Sequence, residues 1–178
     1  MNGKILVCYK SVTGFTKKYA EMIAEELDCT LMDFKEVTVE TLSQYDTVVF
    51  GGRCYAGAID GLKKVKELIA KCNVKNFVVF AVGATPNIAE ETIQETWRRN
   101  LTPDELHSIS HFYMQGGLSY EKMPLHEKLM MKAFAAVMKS KIKKDKTEKD
   151  QEFIRMISSS YDISEKEYIE PLVSFLKG

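Results

Sequence analysis

The chain has 178 residues, which is enough for one domain with a single core and leaves little room for a second domain. Lysine plus arginine and aspartate plus glutamate each number 25, so a net charge of zero gives no reason to expect nucleic acid as the partner. The apolar runs are too short to span a membrane and residues 1–4 lack a signal peptide pattern, which predicts a cytoplasmic protein. Reduced thiols are predicted for the cysteines, which form no CxxC pair: Cys8, Cys29, Cys54 and Cys72.

The first predicted strand, Ile5–Tyr9, leads through a hydroxyl-rich loop into the first predicted helix, 15–27. Such a strand, buried on both faces of a parallel sheet, is a continuous apolar run, and the helix after it directs unpaired N–H groups at the loop. Anions bind at such helix N-termini. Because the loop contains no lysine or arginine, we expect backbone N–H groups and hydroxyl groups to hold a phosphate there. The residues of this candidate phosphate loop are Ser11, Val12, Thr13, Gly14, Phe15 and Thr16.

Competing nucleotide motifs are absent from the first strand and loop. The sequence has neither the G-x-x-x-x-G-K-[ST] motif of a P-loop nor a G-x-G-x-x-G motif for a dinucleotide. The pattern [ST]-x-T-G-x-T, which residues 11–16 match at all six positions, resembles the flavin mononucleotide (FMN) phosphate loop of the flavodoxin family. That resemblance implies FMN as the cofactor. The alternative is an ordinary turn followed by a helix cap.

Four more strands are predicted, with helical patterns between most of them, including helices over 61–71 and 89–99. The strands are Thr30–Phe34, Thr47–Gly51, Phe77–Val82 and Ile109–Met114. Alternation of this kind indicates an α/β fold, a parallel sheet with helices on both faces. Five strands at this spacing fit the flavodoxin-like doubly wound sheet of order 2-1-3-4-5, in which ligands bind beyond the carboxyl ends of the strands.

Two glycine-rich segments follow the third and fourth predicted strands, Gly51–Gly61 and Gly83–Asn87. In the flavodoxin family these two loops flank the isoalloxazine ring, so the resemblance implies that they complete the FMN site. The cofactor-binding residues predicted from them are Gly52, Arg53, Cys54, Tyr55, Ala56, Gly57, Gly83, Ala84, Thr85, Pro86 and Asn87.

Several of these residues have a second interpretation. Tyr55 could stack on the flavin or pack against the next helix. Gly57 could permit a backbone rearrangement that brings a main-chain group to the reduced flavin N5, or could serve only a turn. Arg53 could pair with a substrate carboxylate or a flavin carbonyl, or point into water. Cys54 is predicted to be structural, since nothing nearby in the sequence would make it a thiolate.

Two features differ from a plain electron carrier. Many flavodoxins cover both ring faces with aromatic side chains, whereas Gly83–Asn87 contains none, which predicts a ring face open to a substrate. Carriers of this family also tend to be acidic, which steers them to basic redox partners, and this chain has no net charge.

A long segment, 118–162, separates the fifth predicted strand from the terminal helix and is predicted to be a helical, lysine-rich insert in a single domain of residues 1–178. Pro124 opens an apolar, methionine-rich helix over 125–138, and residues 122–149 contain nine lysines against Glu127, Asp145 and Glu148. This pattern suits a peripheral contact with the inner face of the membrane, or an amphiphilic substrate, through 123–149. In the alternative, the helix packs on the sheet and the lysines are solvated.

The segment Gly116–Tyr120 and the insert after it resemble the menaquinone-dependent protoporphyrinogen dehydrogenases, a flavodoxin-like group with an insert at this point. The resemblance implies that FMN passes electrons from a porphyrinogen to a quinone, and that the insert engages substrate or membrane. No metal site is predicted, because His107 and His111 do not share a helical face and His126 is isolated. Near the end, Ser164 to Glu167 has capping-box spacing and starts a helix that Pro171 kinks or restarts.

The sequence therefore predicts a cytoplasmic, FMN-binding, flavodoxin-like oxidoreductase whose flavin passes electrons to or from a redox partner or a small molecule such as a quinone or porphyrinogen. Two alternatives stay open: a one-electron carrier of the flavodoxin type, and a flavin-free interaction module that docks through the basic insert.

Overall fold

The computed structural model describes residues 3–141 and 148–178. Its strands are β1 (Ile5–Lys10), β2 (Thr30–Asp33), β3 (Thr47–Tyr55), β4 (Ala58–Ile59), β5 (Asn76–Gly83), β6 (Ser110–Gln115), β7 (Gly117–Leu118) and β8 (Tyr161–Asp162). Its helices are α1 (Phe15–Leu27), α2 (Val39–Leu42), α3 (Leu62–Ile69), α4 (Glu90–Asn100), α5 (Pro103–Ser108), α6 (Leu125–Lys141), α7 (Glu148–Ile157) and α8 (Glu170–Lys177). The chain divides into two compact units, the first made of Met1–Gly116 with Ser164–Gly178 and the second of Gly117–Ile163.

The first unit is a parallel sheet in the order β2-β1-β3-β5-β6, to which β4 adds a short antiparallel strand beside β3. Counting the parallel strands alone, this is the predicted order 2-1-3-4-5, so the flavodoxin-like fold is confirmed. The order reverses between β1 and β3, whose carboxyl ends therefore bound the crevice in which ligands of such sheets bind.

Helices cover both faces of this sheet, and each contributes the apolar stripe that its sequence shows. On one face, Leu62 and Val65 of α3 and Trp97 of α4 are buried against residues such as Phe50. On the other face the buried side chains come from α1 and α8, and they include Tyr19, Ile23, Leu172 and Leu176. The central strands are buried on both sides, as the continuous apolar runs predicted.

The structure adds elements that were not predicted, β4, β7, β8 and α7 among them, and it also departs from the predicted elements as follows. β3 continues four residues past Gly51, to Tyr55, because those residues pair with neighbouring strands. The short helix α5 was not predicted, although Thr102 and Glu105 form a complete capping box at its start. The capping box predicted at Ser164 is wrong: Glu165 precedes a 3₁₀ turn, Lys166–Ile169, without a side-chain cap, and Pro171 lies in the first turn of α8, where its missing N–H costs nothing.

In the second unit, β7 and β8 form an antiparallel pair and α6 packs against α7. The hydroxyl of Tyr120 donates to the carbonyl of Ile157 at 2.6 Å, and the N–H of Tyr120 donates to Ser160 Oγ at 3.0 Å. Helix α6 contains the predicted helix 125–138. Part of the predicted lysine run, Lys143, Lys144 and Lys146, lies outside the described residues. Within residues 3–141 and 148–178, no helix combines the length and the apolar character needed to cross a membrane.

Candidate functional site

The loop between β1 and α1 exposes the N-terminus of α1. Gly14 is the residue before the helix and has a φ of 101°, a left-handed conformation that glycine adopts without strain. The N–H of Gly14 donates to Ser11 Oγ at 3.1 Å, which closes the loop on itself, and the first helical hydrogen bond runs from the N–H of Lys18 to the carbonyl of Gly14 at 2.9 Å. The N–H groups of the first turn precede any helical acceptor, so they are available to an anion.

Thr16, in that first turn, is only 1 % exposed, and its hydroxyl has no hydrogen-bond partner among the described residues. A buried hydroxyl without a partner is unfavourable by about 1–3 kcal/mol, so such a group points to a ligand or water that satisfies it. The carbonyl oxygen of the Asn87 side chain, in the loop after β5, is likewise buried with no partner in residues 3–141 and 148–178. Both atoms belong to loops that the sequence assigned to the FMN site.

The segment after Phe50 is a strand and a hairpin, whereas the sequence predicted an irregular loop from Gly51. Gly51 and Gly52 lie inside the sheet: a Cβ on Gly51 would be 2.0 Å from Phe80, and one on Gly52 would be 2.7 Å from Ile59. These glycines are therefore required by packing. Gly52 pairs with Lys10 of β1, and Arg53 pairs with Val82 of β5. The predicted strand ended at Gly51, so the sequence analysis did not include these two pairings.

The hairpin between β3 and β4 turns at Ala56 and Gly57. Both have positive φ, 48° and 82°, as a two-residue type I′ turn requires. Asn100, the last residue of α4, fixes this turn from outside: its amide donates to the carbonyl of Gly57 at 2.9 Å, and its oxygen accepts from the N–H of Ile59 at 2.8 Å. The position of the hairpin at the carboxyl end of β3 thus depends on a residue more than forty positions away in the sequence.

A small charged cluster lies beside the hairpin. Asp60 forms ion pairs with Lys10 Nζ at 2.7 Å and with Arg53 Nε at 3.4 Å. The Arg53 guanidinium also lies 4.8 Å from the centre of the Tyr55 ring, a cation–π geometry. Arg53 therefore does not point into water, and its side chain orients the tyrosine that the sequence proposed for stacking on the flavin.

Cys54 does not provide a reactive thiol at this edge. Burial raises the pKa of its thiol to about 12, so the group is protonated at neutral pH. A Cβ on Gly83 would lie 3.2 Å from the Cβ of Cys54, so the space beside Cys54 fits glycine and is tight for a larger residue.

The loop after β5, Gly83–Asn87, is held by β6. The hydroxyl of Tyr113 donates to the carbonyl of Thr85 at 2.9 Å, and Gln115 Oε1 accepts from the N–H of Asn87 at 3.1 Å. Gly83 is the last residue of β5, not a loop residue as predicted, because it pairs with Gln115. The buried hydroxyl of Tyr19, on α1, donates in turn to the carbonyl of Gln115, which links the phosphate loop's helix to the end of β6.

Sequence reasoning missed the three residues that position these loops: Asn100, Tyr113 and Gln115. Each lies in an element outside the glycine-rich segments, and each acts on a main-chain atom rather than on a side chain. Only Gln115 carried a signal in the sequence, as a polar residue directly after an apolar strand, and the structure then shows that it is only 7 % exposed.

Because β1, β3 and β5 are parallel, the candidate phosphate loop, the hairpin turn and Gly83–Asn87 all lie at the same edge of the sheet. The register shows this directly, since Lys10 pairs with Gly52 and Arg53 pairs with Val82. The structure thus brings the three predicted loops together. The arrangement offers N–H groups and hydroxyls for a phosphate at one loop, and an aromatic side chain with glycine backbone for a flat ring at the others.

Other candidate chemistry lies apart from this edge. A cavity of about 470 Å³ is found at the opposite edge, beside the amino ends of β1 and β2, where it is lined by Lys4, Leu27, Cys29 and Tyr45 among others. Burial first, and the charge of Asp28 second, raise the pKa of the Cys29 thiol to about 11. Over the described ranges, no three histidine, cysteine or carboxylate side chains come close enough to hold a metal ion.

The chain is similar to several known proteins. A family model for the flavodoxin domain matches residues 6–150. An uncharacterized protein of Methanocaldococcus jannaschii is 26 % identical over 156 residues, covering 86 % of this chain and 97 % of that one. Solved structures similar to this chain include two-electron reduced flavodoxin of Megasphaera elsdenii, at 15 % identity, TM-score 0.44, and coverage of 68 % of this chain and 89 % of that one. Another is a flavoprotein in complex with FMN from Lactobacillus acidophilus, at 15 % identity, TM-score 0.43, and coverage of 64 % and 92 %.

Proposed function

We propose that this chain, which belongs to the flavodoxin domain family, binds FMN at the carboxyl edge of its sheet and works as an FMN-dependent oxidoreductase. The observation that carries the proposal is the hydroxyl of Thr16, which is buried in the first turn of α1 and has no partner in the part of the chain that the structure describes. A phosphate at that helix N-terminus would accept its hydrogen bond and remove the penalty of burying it alone.

The phosphate would be held without a cationic side chain from the loop. The hydroxyls of Ser11, Thr13 and Thr16 would donate to it, together with main-chain N–H groups of the loop and of the first turn of α1. Ser11 Oγ already accepts the N–H of Gly14, so its own proton stays available for this purpose. Hydrogen bonds to a charged acceptor are each worth about 1.5–3 kcal/mol, which is sufficient for tight binding when several converge.

The flavin ring would lie between the hairpin turn and Gly83–Asn87, where Tyr55 supplies an aromatic face. FMN supplies the redox chemistry, and the protein supplies position and electrostatics. Tyr55 is held by Arg53, and the two loops are fixed by Asn100, Tyr113 and Gln115, so their main chain presents a preorganised surface to the ring.

We further propose that one ring face is open to a small-molecule substrate, for which a quinone or a porphyrinogen is the candidate. The absence of any aromatic residue from Gly83–Asn87 supports this, because nothing in that loop would cover the second face. A flat, largely apolar substrate fits such a face, since stacking buries a large area with little loss of conformational entropy.

The test begins with the absorbance spectrum of the purified full chain, before and after incubation with FMN and desalting. Retention of flavin near one equivalent supports the FMN site, and a colourless protein after saturation contradicts it and favours the interaction module. Stepwise reduction then separates the remaining alternatives. Passage directly to the two-electron-reduced flavin, with turnover of a quinone or porphyrinogen, supports the enzyme, whereas accumulation of a one-electron-reduced flavin without turnover favours the carrier.

A further inference from the structure

The outward side of α6 is apolar. Five large side chains on this helix are between 46 % and 73 % exposed: Leu125, Leu129, Met130, Phe134 and Val137. Single exposed apolar residues are ordinary on a protein surface, but a continuous stripe along one helix marks a contact site. The small side chains of Ala133 and Ala136 are exposed beside them, and between Leu125 and Val137, where the side chains are described, His126 is the one large polar residue within the stripe.

This stripe is not the face by which α6 packs in its unit. Five residues of the helix are less exposed. Glu127, Met131, Ala135 and Met138 recur at helical spacing on the other side, and the half-buried Lys128 lies at the border between the two sides. Ala135 is 5 % exposed, and Ile154 and Ile157 of α7, the helix against which α6 packs, are also buried. Within the described part of its own unit, the helix therefore has an inner side that packs against α7 and an outer apolar side that no other element of that unit covers.

Lysines line one flank of the outer stripe. Lys128, Lys132 and Lys139 are spaced so that they project from neighbouring directions on the helix surface. The only acid in the sequence of α6 is Glu127, whose side chain lies on the inner side and is 5 % exposed. Across residues 122–149 the sequence holds nine lysines and three acids, an excess of six positive charges that the rest of this neutral chain balances.

We propose that the outer side of α6 docks on an anionic lipid surface. An interfacial helix buries its apolar side at the boundary between headgroups and acyl chains while basic side chains along it bind acidic headgroups. Both parts are present here on one helix, whose only acid, Glu127, is buried; the nearest exposed acid, Glu121, precedes the helix and interacts with Lys128 alone among these lysines. A protein partner of matching shape would not require the positive charge to be concentrated in this segment, whereas a surface of acidic headgroups does. The proposal does not depend on flavin binding.

The experiment measures binding of the full chain to sedimented vesicles, either of phosphatidylcholine alone or with about a third of phosphatidylglycerol. We expect binding to the phosphatidylglycerol vesicles only, and weakening by salt. Replacing Lys128, Lys132 and Lys139 by Gln should lower the partition coefficient roughly fivefold for each lysine, or about 100-fold for all three. The matched control replaces the exposed lysines Lys63, Lys64 and Lys71 by Gln, which changes the net charge equally and should leave binding nearly unchanged.

The apolar part of the surface is tested by Leu129→Gln with Val137→Gln. This double variant should weaken binding at least tenfold, while Ile88→Gln, at an apolar side chain 92 % exposed in the first unit, should not. Circular dichroism verifies that all variants are folded, as surface substitutions should be. Absence of binding to phosphatidylglycerol vesicles, or binding that the α6 variants do not reduce, would overturn the proposal. So would a dimer in sedimentation velocity that Leu129→Gln with Val137→Gln dissociates, because a second copy would then cover the stripe.

Discussion

The buried hydroxyl of Thr16 allows the phosphate site to be tested through two effects of opposite sign. Thr16→Val keeps the shape of the side chain and removes only the hydroxyl, for which the described residues provide no partner. An unsatisfied buried polar group is unfavourable by about 1–3 kcal/mol, so the flavin-free variant should be more stable than the original by up to that amount. For a chain of this size, 1 kcal/mol corresponds to roughly 2–4 °C in Tm, so we expect an increase of roughly 2–12 °C.

Affinity for FMN should change the other way. If the Thr16 hydroxyl donates to the phosphate, its removal loses a charge-assisted hydrogen bond of about 1.5–3 kcal/mol. That corresponds to a Kd higher by roughly 10- to 150-fold. Stability is measured by thermal unfolding without FMN, and affinity by the quenching of flavin fluorescence on titration.

Thr92→Val is the matched control, since Thr92 is exposed on α4, and it should change neither quantity by much. A Thr16→Val protein that is less stable without FMN, yet binds FMN as tightly as the original, would refute the assignment. That result would mean that the hydroxyl serves the fold and not a ligand.

Three further predictions concern the loops and the sheet. Gly57→Ala should destabilise the protein by about 1–2 kcal/mol because its φ of 82° is strained for a residue with a Cβ, whereas Ala56→Gly at the neighbouring left-handed position should be neutral or slightly stabilising in urea unfolding. Asn100→Ala should lower the free energy of unfolding by about 1–3 kcal/mol in the same assay, because it removes both hydrogen bonds that fix the hairpin. An unchanged urea midpoint would show that the hairpin does not depend on Asn100. The hydrogen bond from Lys75 is the main cause that holds the pKa of the Asp46 carboxyl below its usual value, so its contribution is present above about pH 4 and is lost as the pH falls further. The stability difference between the original and Asp46→Asn should therefore narrow below about pH 4, and a constant difference down to pH 2 would contradict this.

The sequence by itself determined the order of the parallel strands and the location of the candidate phosphate loop. Apolar runs buried on both sides, such as Ile5–Tyr9, and helical stripes between them are local patterns, and a parallel sheet is the arrangement that buries both. The candidate phosphate loop was readable for the same reason. Its chemistry lies in six adjacent residues, and the helix that directs N–H groups at it begins immediately afterwards.

Only the tertiary structure decided how the other two loops are built. β3 runs on to Tyr55 because Gly51 and Gly52 fit against Phe80 and Ile59, a packing constraint that no local pattern records. Asn100 fixes the hairpin turn through main-chain atoms more than forty residues away, so its role depends on which elements become neighbours.

The two sides of α6 show the same limit. The sequence predicted that this helix is apolar with lysines nearby. Two interpretations were open: a helix that packs on the protein and a helix that docks on another surface. Burial assigned Ala135 to the inner side and left Leu129 and Val137 exposed on the outer side. When a helix is apolar over most of its circumference, its sequence does not indicate which side is buried, because the buried side depends on the shape of the neighbour against which the helix packs.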